Sequence, residues 1–257
     1  MVSQFGSGFQ SITVGSTTYD TTSATVTVDN QPAMLSDLDV GNVVRVTATT
    51  DDDGVTATAS AIRQINDLEG TVDAGSIDLA AGTFGVLGQT IRVVATTLFE
   101  DDFSPASLEG LSDGDAVEVS VLAAGDGVYI ATRVELDDDV GDFEITGVVS
   151  NLDGTTFQFN LGPLLVDYSG AMLEDFDGGM ITDGDRVEVE GSAVGAGGEL
   201  IADVVYNEDD DFDGEDGDFG DVEGFISRFV SATDFDVDGQ SVTTNGDTSF
   251  EDGVATD

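Results

Sequence analysis

Ile181-Thr182-Asp183-Gly184-Asp185-Arg186-Val187-Glu188-Val189-Glu190 opens on a Gly-Asp pair and then alternates charged and apolar side chains. A period of two places Val187 and Val189 on one face of a β-strand and the charged residues on the other, so one face is buried and one is wet. The same pattern stands at Leu38-Asp39-Val40-Gly41-Asn42-Val43-Val44-Arg45-Val46 and at Leu111-Ser112-Asp113-Gly114-Asp115-Ala116-Val117-Glu118-Val119. Its glycines, 41, 114 and 184, are 73 and 70 residues apart. A second landmark is an opening strand with a central glycine: Glu69-Gly70-Thr71-Val72, Thr146-Gly147-Val148-Val149 and Glu223-Gly224-Phe225-Ile226, with both spacings equal to 77. Two independent rulers of similar length define a tandem repeat.

Each copy continues through a turn into a further strand: Asp53-Gly54 to Ala61-Ile62, Asp126-Gly127 to Ala131 and Val134, and Gly197-Gly198 to Ala202 and Val205. Such turns favour antiparallel neighbours. With 33 glycines, 3 prolines and no long helical periodicity, the chain reads as all-β. The one helical turn expected is at Ser104-Pro105-Ala106-Ser107-Leu108, with Ser104 as N-cap. Short strands in so small a unit bury one face by closing into a small antiparallel β-barrel or sandwich. The expected modules are 1–67, 68–137 and 143–207, followed by an acidic linker at 208–220 and a partial module at 221–257. Acidic joints, among them Asp137-Asp138-Asp139, should repel and extend, so the modules should string out.

The opening Gly-x-Val strand, Gly88-Gln89-Thr90-Ile91, Thr97-Leu98-Phe99, the Gly-Asp-x-Val-Glu-Val strand and Ala131-Thr132-Arg133-Val134 together resemble a secreted bacterial β-repeat family catalogued as domain of unknown function 5666. The resemblance covers most of the chain, is closest over 68–135, and implies secretion and a small barrel. It supplies no catalytic residues. The first module departs from the pattern at Asn42, where the other copies have Asp.

Fifty-three acids face six bases, all arginine, for a net charge of −47. Self-repulsion on this scale is relieved by salt or bound cations, which suggests an extracellular or cell-surface setting. The start, Met1-Val2-Ser3-Gln4-Phe5-Gly6, lacks the basic and apolar regions of a signal peptide. The charge argues against nucleic acid as a partner, and no stretch has the length of a membrane-inserting helix. There is no His, Cys or Lys to act as a base near neutral pH, no Gly-x-Ser-x-Gly elbow and no phosphate loop, so the chain is read as a non-enzyme.

Calcium is the candidate ion. Asp209, Asp211 and Asp213 before Gly214 match the first half of a calcium loop, with Asp216 and Asp218 close behind. The match then fails, because position twelve is Gly220. Asp137, Asp138 and Asp139 form a second acidic candidate. Asp234-x-Asp236-x-Asp238-Gly239 fits a strand better, with Phe235 and Val237 on its buried face.

The fourth copy carries Val222, Gly224, Phe225, Ile226, Phe235, Val237 and Val242, but the next Gly-Asp-x-Val-x-Val strand does not follow. An open module offers unpaired backbone and apolar side chains to another chain. The resulting expectation is a structural subunit of a filament or surface assembly, joined head to tail by strand complementation and stabilised by divalent cations. The alternative is a secreted carbohydrate- or protein-binding module using Tyr19, Tyr129, Tyr168 or Tyr206.

Overall fold

The computed structural model describes residues 1–15, 17–28, 30–50, 56–64, 67–124, 128–137, 141–208, 226–237, 240–246 and 248. These residues are almost wholly strand and turn. The first module holds β1 (Val2–Phe5), β2 (Ser11–Val14), β3 (Thr17–Asp20), β4 (Thr25–Val28), β5 (Gln31–Ala33), β6 (Val44–Thr50) and β7 (Thr56–Gln64). The second holds β8 (Asp67–Thr71), β9 (Thr83–Val86), β10 (Gln89–Arg92), β11 (Leu98–Phe99), β12 (Ala116–Ala123) and β13 (Val128–Leu136). The third holds β14 (Phe143–Asp153), β15 (Gln158–Leu161), β16 (Leu164–Asp167), β17 (Met172–Glu174), β18 (Arg186–Gly191), β19 (Ala193–Val194), β20 (Leu200–Ile201) and β21 (Val204–Asn207). Last come β22 (Ile226–Ser231), β23 (Asp234–Val237) and β24 (Gln240–Val242).

The Gly-Asn/Asp pair does the same work in all three complete copies. Gly41, Gly114 and Gly184 sit at φ +105°, +83° and +103°, a region that favours glycine. Each glycine N–H donates to the carbonyl of a valine near the opening strand: Val2, Val72 or Val149, at 2.9 Å every time. That valine's N–H donates back to Asn42, Asp115 or Asp185 at 2.8, 2.9 and 2.8 Å. The side-chain oxygens of Asn42, Asp115 and Asp185 close the turn by accepting from the N–H of Asp39, Ser112 and Thr182. The motif is a clasp that fixes the register between the opening strand and the Val-x-Val strand.

The strands do not close into independent barrels. The opening strands of the second and third modules hydrogen-bond to each other, Glu69 opposite Glu144 and Leu68 opposite Ile145, and fourteen strands form one connected sheet. The apolar face of this sheet buries a shared core that runs from Leu68, Phe84 and Val119 to Ile145, Phe159 and Val189. Gln89, 1% exposed, spans the two modules by donating from Nε2 to the Leu161 carbonyl at 3.0 Å. The first module has a seven-stranded sheet and its own smaller core of Val2, Ile12, Leu38, Val44 and Ile62.

Nor do the first three modules string out. Thr132 Oγ1 donates to the Gly41 carbonyl at 2.6 Å, and Arg133 Nη1 donates to that of Val40 at 3.3 Å. Asn42 Nδ2 donates to the buried Ser120 hydroxyl at 3.1 Å. Asn42 therefore keeps the clasp while adding a donor that Asp lacks, and that donor ties the first module to the second. Repulsion between modules is offset where arginine meets glutamate, as described below.

The helical turn also differs from expectation. Ser104–Pro105 is a cis peptide, and a 3-10 turn occupies Leu108–Gly110, with Ser107 rather than Ser104 at its N-cap. The Ser107 N–H donates to the Pro105 carbonyl at 2.8 Å, so the backbone turns back before a helix can start there.

Candidate functional site

The wet face of the large sheet carries an unexpected row of charge. Residues directly opposite on neighbouring strands share a face. The register sets Glu135 against Glu118, Glu118 against Glu69, Glu69 against Glu144, and Glu144 against Glu190. Five glutamates thus line up across β13, β12, β8, β14 and β18. Thr146 stands opposite Glu188, and Glu188 stands opposite Tyr206, so these three extend the same face. Like charges in direct opposition are destabilising. Something has to compensate.

Part of the compensation comes from the first module, which covers the end of this row. Arg63 donates from Nη1 to Glu208 Oε2 at 2.9 Å and from Nη2 to Glu208 Oε1, a bidentate pair. Its Nη2 also lies 3.5 Å from Glu188 Oε2 and donates to Asn30 Oδ1 at 2.8 Å. Asn30 occupies a left-handed position at the β4–β5 turn, φ 55°, where asparagine is tolerated. Its Nδ2 donates to Glu188 Oε1 at 2.5 Å. Arg45 Nη1 reaches to 4.0 Å from Glu208 Oε2. Farther along, Gln64 donates to Glu118 at 3.0 Å, and Arg133 pairs with Glu135.

Covered in this way, Glu144, Glu188 and Glu208 are only 6%, 4% and 5% exposed. Burial, reinforced by Glu208, pushes the Glu188 carboxyl from its ordinary 4.5 up to about 7, against the pull of Arg63. Burial and then the field of Glu190, Glu188, Glu174 and Glu144 also raise the Tyr206 phenol. The Arg63 guanidinium loses water on burial, yet Glu208, Glu188 and Glu144 hold it above its ordinary value. Among the described residues, one group of three carboxylates comes close enough for a single ion. Oxygens of Glu144, Glu188 and Glu190 lie within 4.8 Å of one another. Three hard oxygen donors suit calcium or magnesium chemistry.

None of the acidic residues singled out by sequence is one of these three glutamates. Asp209, Asp211, Asp213, Asp216 and Asp218, with Asp138 and Asp139, lie outside the described residues, as do Val222, Gly224 and Phe225. Asp137 is half-buried, its N–H donating to the Ala116 carbonyl at 3.0 Å. Asp234 and Asp236 accept from Arg228 at 2.8 and 2.6 Å on one face of β22–β23, while Phe235 packs on Phe229 with centroids 6.5 Å apart. Tyr19 packs on the first core, Tyr129 and Tyr168 on the shared core, and Tyr206 lies beside Glu188. The buried glutamates escape a sequence reading because Val-Glu-Val-Glu looks like a solvated face. The available signal is that Glu69, Glu118, Glu135, Glu144 and Glu190 all fall on strands at matching register.

Residues 1–63, 69–135, 146–205 and 223–257 match the family described as Domain of unknown function (DUF5666). No curated protein matches the chain. Among solved structures, one titled drosophila Unr CSD456 is similar at 15% identity over 66% of this chain and 78% of that one, with a TM-score of 0.22. Among the described residues, no helix is long and apolar enough to cross a membrane.

Proposed function

The chain belongs to the DUF5666 family, and we propose that it is an extracellular structural protein whose copies join end to end, each supplying strands to the β22–β24 sheet of the next. One observation carries this reading: β22–β24 is a three-stranded sheet whose apolar face is partly in solvent, with Ile226 and Phe229 exposed and Phe235, Val237 and Val242 half-buried. It pairs only within itself among the described residues. Ile226 stands opposite Val237, and Phe229 and Val242 flank Phe235. These five residues share a face, with Arg228, Asp234 and Asp236 on the other. Ile226 is 55% exposed and Phe229 46%.

The corresponding hairpins of the other modules are covered on this face. There Phe84, Val86 and Ile91, and Phe159, Leu161 and Val166, are at most 1% exposed, packed against valines of the Val-x-Val strands. A second copy carries the same strands, which makes it the occupant of matching shape. Divalent cations favour the association by screening two chains of net charge −47.

The test is the particle mass of the full chain by light scattering and electron microscopy, with and without calcium. Wild type is expected to form elongated particles, and Phe229→Asp to remain monomeric. A peptide spanning 181–191 should block growth of wild type without any mutation. A wild-type monomer under both conditions refutes the proposal.

A further inference from the structure

We propose that Glu144, Glu188, Glu190 and Thr146 form a binding site for one calcium ion, set between the large sheet and the first module. None of its four ligands belongs to the acidic stretch at 208–220, and it stands whether or not the chains assemble.

Three features of the geometry support it. The carboxylate oxygens lie within 4.8 Å of one another. Two ligands of one calcium, each at about 2.4 Å, are separated by no more than about 5 Å. Second, Thr146 is 7% exposed and its Oγ1 has no hydrogen-bond partner. It stands directly across the ladder from Glu188 and two residues along the strand from Glu144, so its hydroxyl shares their face. A buried hydroxyl left unsatisfied is destabilising. A hard cation would engage that oxygen as a neutral fourth ligand, beside three carboxylates.

Third, the place is anionic: the ladder sets Glu144 against both Glu69 and Glu190, like charges in direct opposition. Calcium suits the position better than magnesium, because it accepts irregular oxygen shells and completes them with water, whereas magnesium requires a near-ideal octahedron. Bound there, the ion would fasten the third module beneath Asn30 and Arg63 of the first.

Terbium, a luminescent stand-in for calcium, gives a readout specific to this place. Tyr206 lies opposite Glu188 and can sensitise an ion held there. Full-length protein in chelator-treated buffer should show tyrosine-sensitised terbium emission that calcium displaces. The Tyr129 hydroxyl donates to the Thr146 carbonyl at 3.2 Å, so it too lies beside the site; the double variant Tyr129→Phe/Tyr206→Phe should remove most of that emission while leaving calcium affinity within about twofold by calorimetry. Glu190→Gln should weaken binding at least tenfold. Thr146→Val keeps the shape and removes only the hydroxyl; it should weaken binding about tenfold, whereas relief of a merely unsatisfied hydroxyl would leave binding unchanged. Emission that persists in Tyr129→Phe/Tyr206→Phe, or affinity unaltered in both Glu190→Gln and Thr146→Val, would place the ions in other acidic segments and overturn the assignment. Loss of folding in Glu190→Gln would leave Thr146→Val to decide the matter.

Discussion

Replacing Glu188 by Gln should stabilise the protein at high pH and leave its stability unchanged at low pH. Glu188 is buried, and its carboxyl titrates at about 7 in the folded chain against 4.5 ordinarily. Between those values the folded chain holds a proton that the unfolded chain has released. Bound protons are then more numerous in the native state, so stability falls as pH rises. The contribution of the protonated acid is fully present below 4.5 and is lost as pH climbs through about 7. The interval, at about 1.4 kcal/mol per pH unit, comes to about 3 kcal/mol. Gln is neutral throughout. Its carbonyl can keep the hydrogen bond from Asn30 Nδ2, and its amide can donate toward the neighbouring carboxylates. In chelator, thermal melts from pH 4.5 to 8.5 should show the two proteins converging at the acid end. At pH 8 the variant should melt about 6–12 °C higher, using roughly 2–4 °C per kcal/mol for a protein of this size. An offset that stays constant across the pH range, or a wild type that gains on the variant as pH rises, would refute the account of a charge forced into a dry, like-charged place.

Three further variants test the clasp and the docking of the first module. Gly184→Ala adds a Cβ that meets nothing within 4 Å, so its cost is the strain of φ +103° alone, roughly 1–2 kcal/mol in a urea midpoint. Gly41→Ala should cost clearly more, because its Cβ would lie 3.0 Å from that of Arg133 and 3.3 Å from the Thr132 carbonyl. Asn42→Asp keeps the turn oxygen but removes the donor to Ser120, costing about 1–3 kcal/mol, with faster amide exchange in β6 and around Ser120 as the readout.

The repeat was legible because the clasp is written in residues with few substitutes. Glycine at positive φ and an Asx side chain closing the turn leave the Gly-Asp signature, and Val-x-Val marks the buried side of the strand. Which faces stack on one another was not legible. Alternation shows that Glu188 and Glu190 point away from Val187 and Val189, but a second layer laid over that outer face leaves no period of its own. The docking depends on single residues far apart in sequence, Asn30, Asn42 and Arg63, each of which reads locally as an ordinary turn or strand residue. The barrel expectation failed for a related reason. Leu68 and Ile145 look like core residues of separate units, and nothing in either strand reveals that their backbones bond to each other. The strand alternation of Phe235 and Val237 with Asp234 and Asp236 is legible because it is local, but the face expected to be buried is only half-buried.

The pairing of β8 with β14 has a geometric corollary. Counting from Gly70 and Gly147, Leu68 and Ile145 are equivalent positions of the repeat, and they stand opposite each other in an antiparallel pair. A local dyad therefore passes between them, and the second and third modules meet as mirror roles of one isologous contact. Such a contact is satisfied by two participants and offers no free half for a third. Growth beyond that couple requires a surface of a different kind.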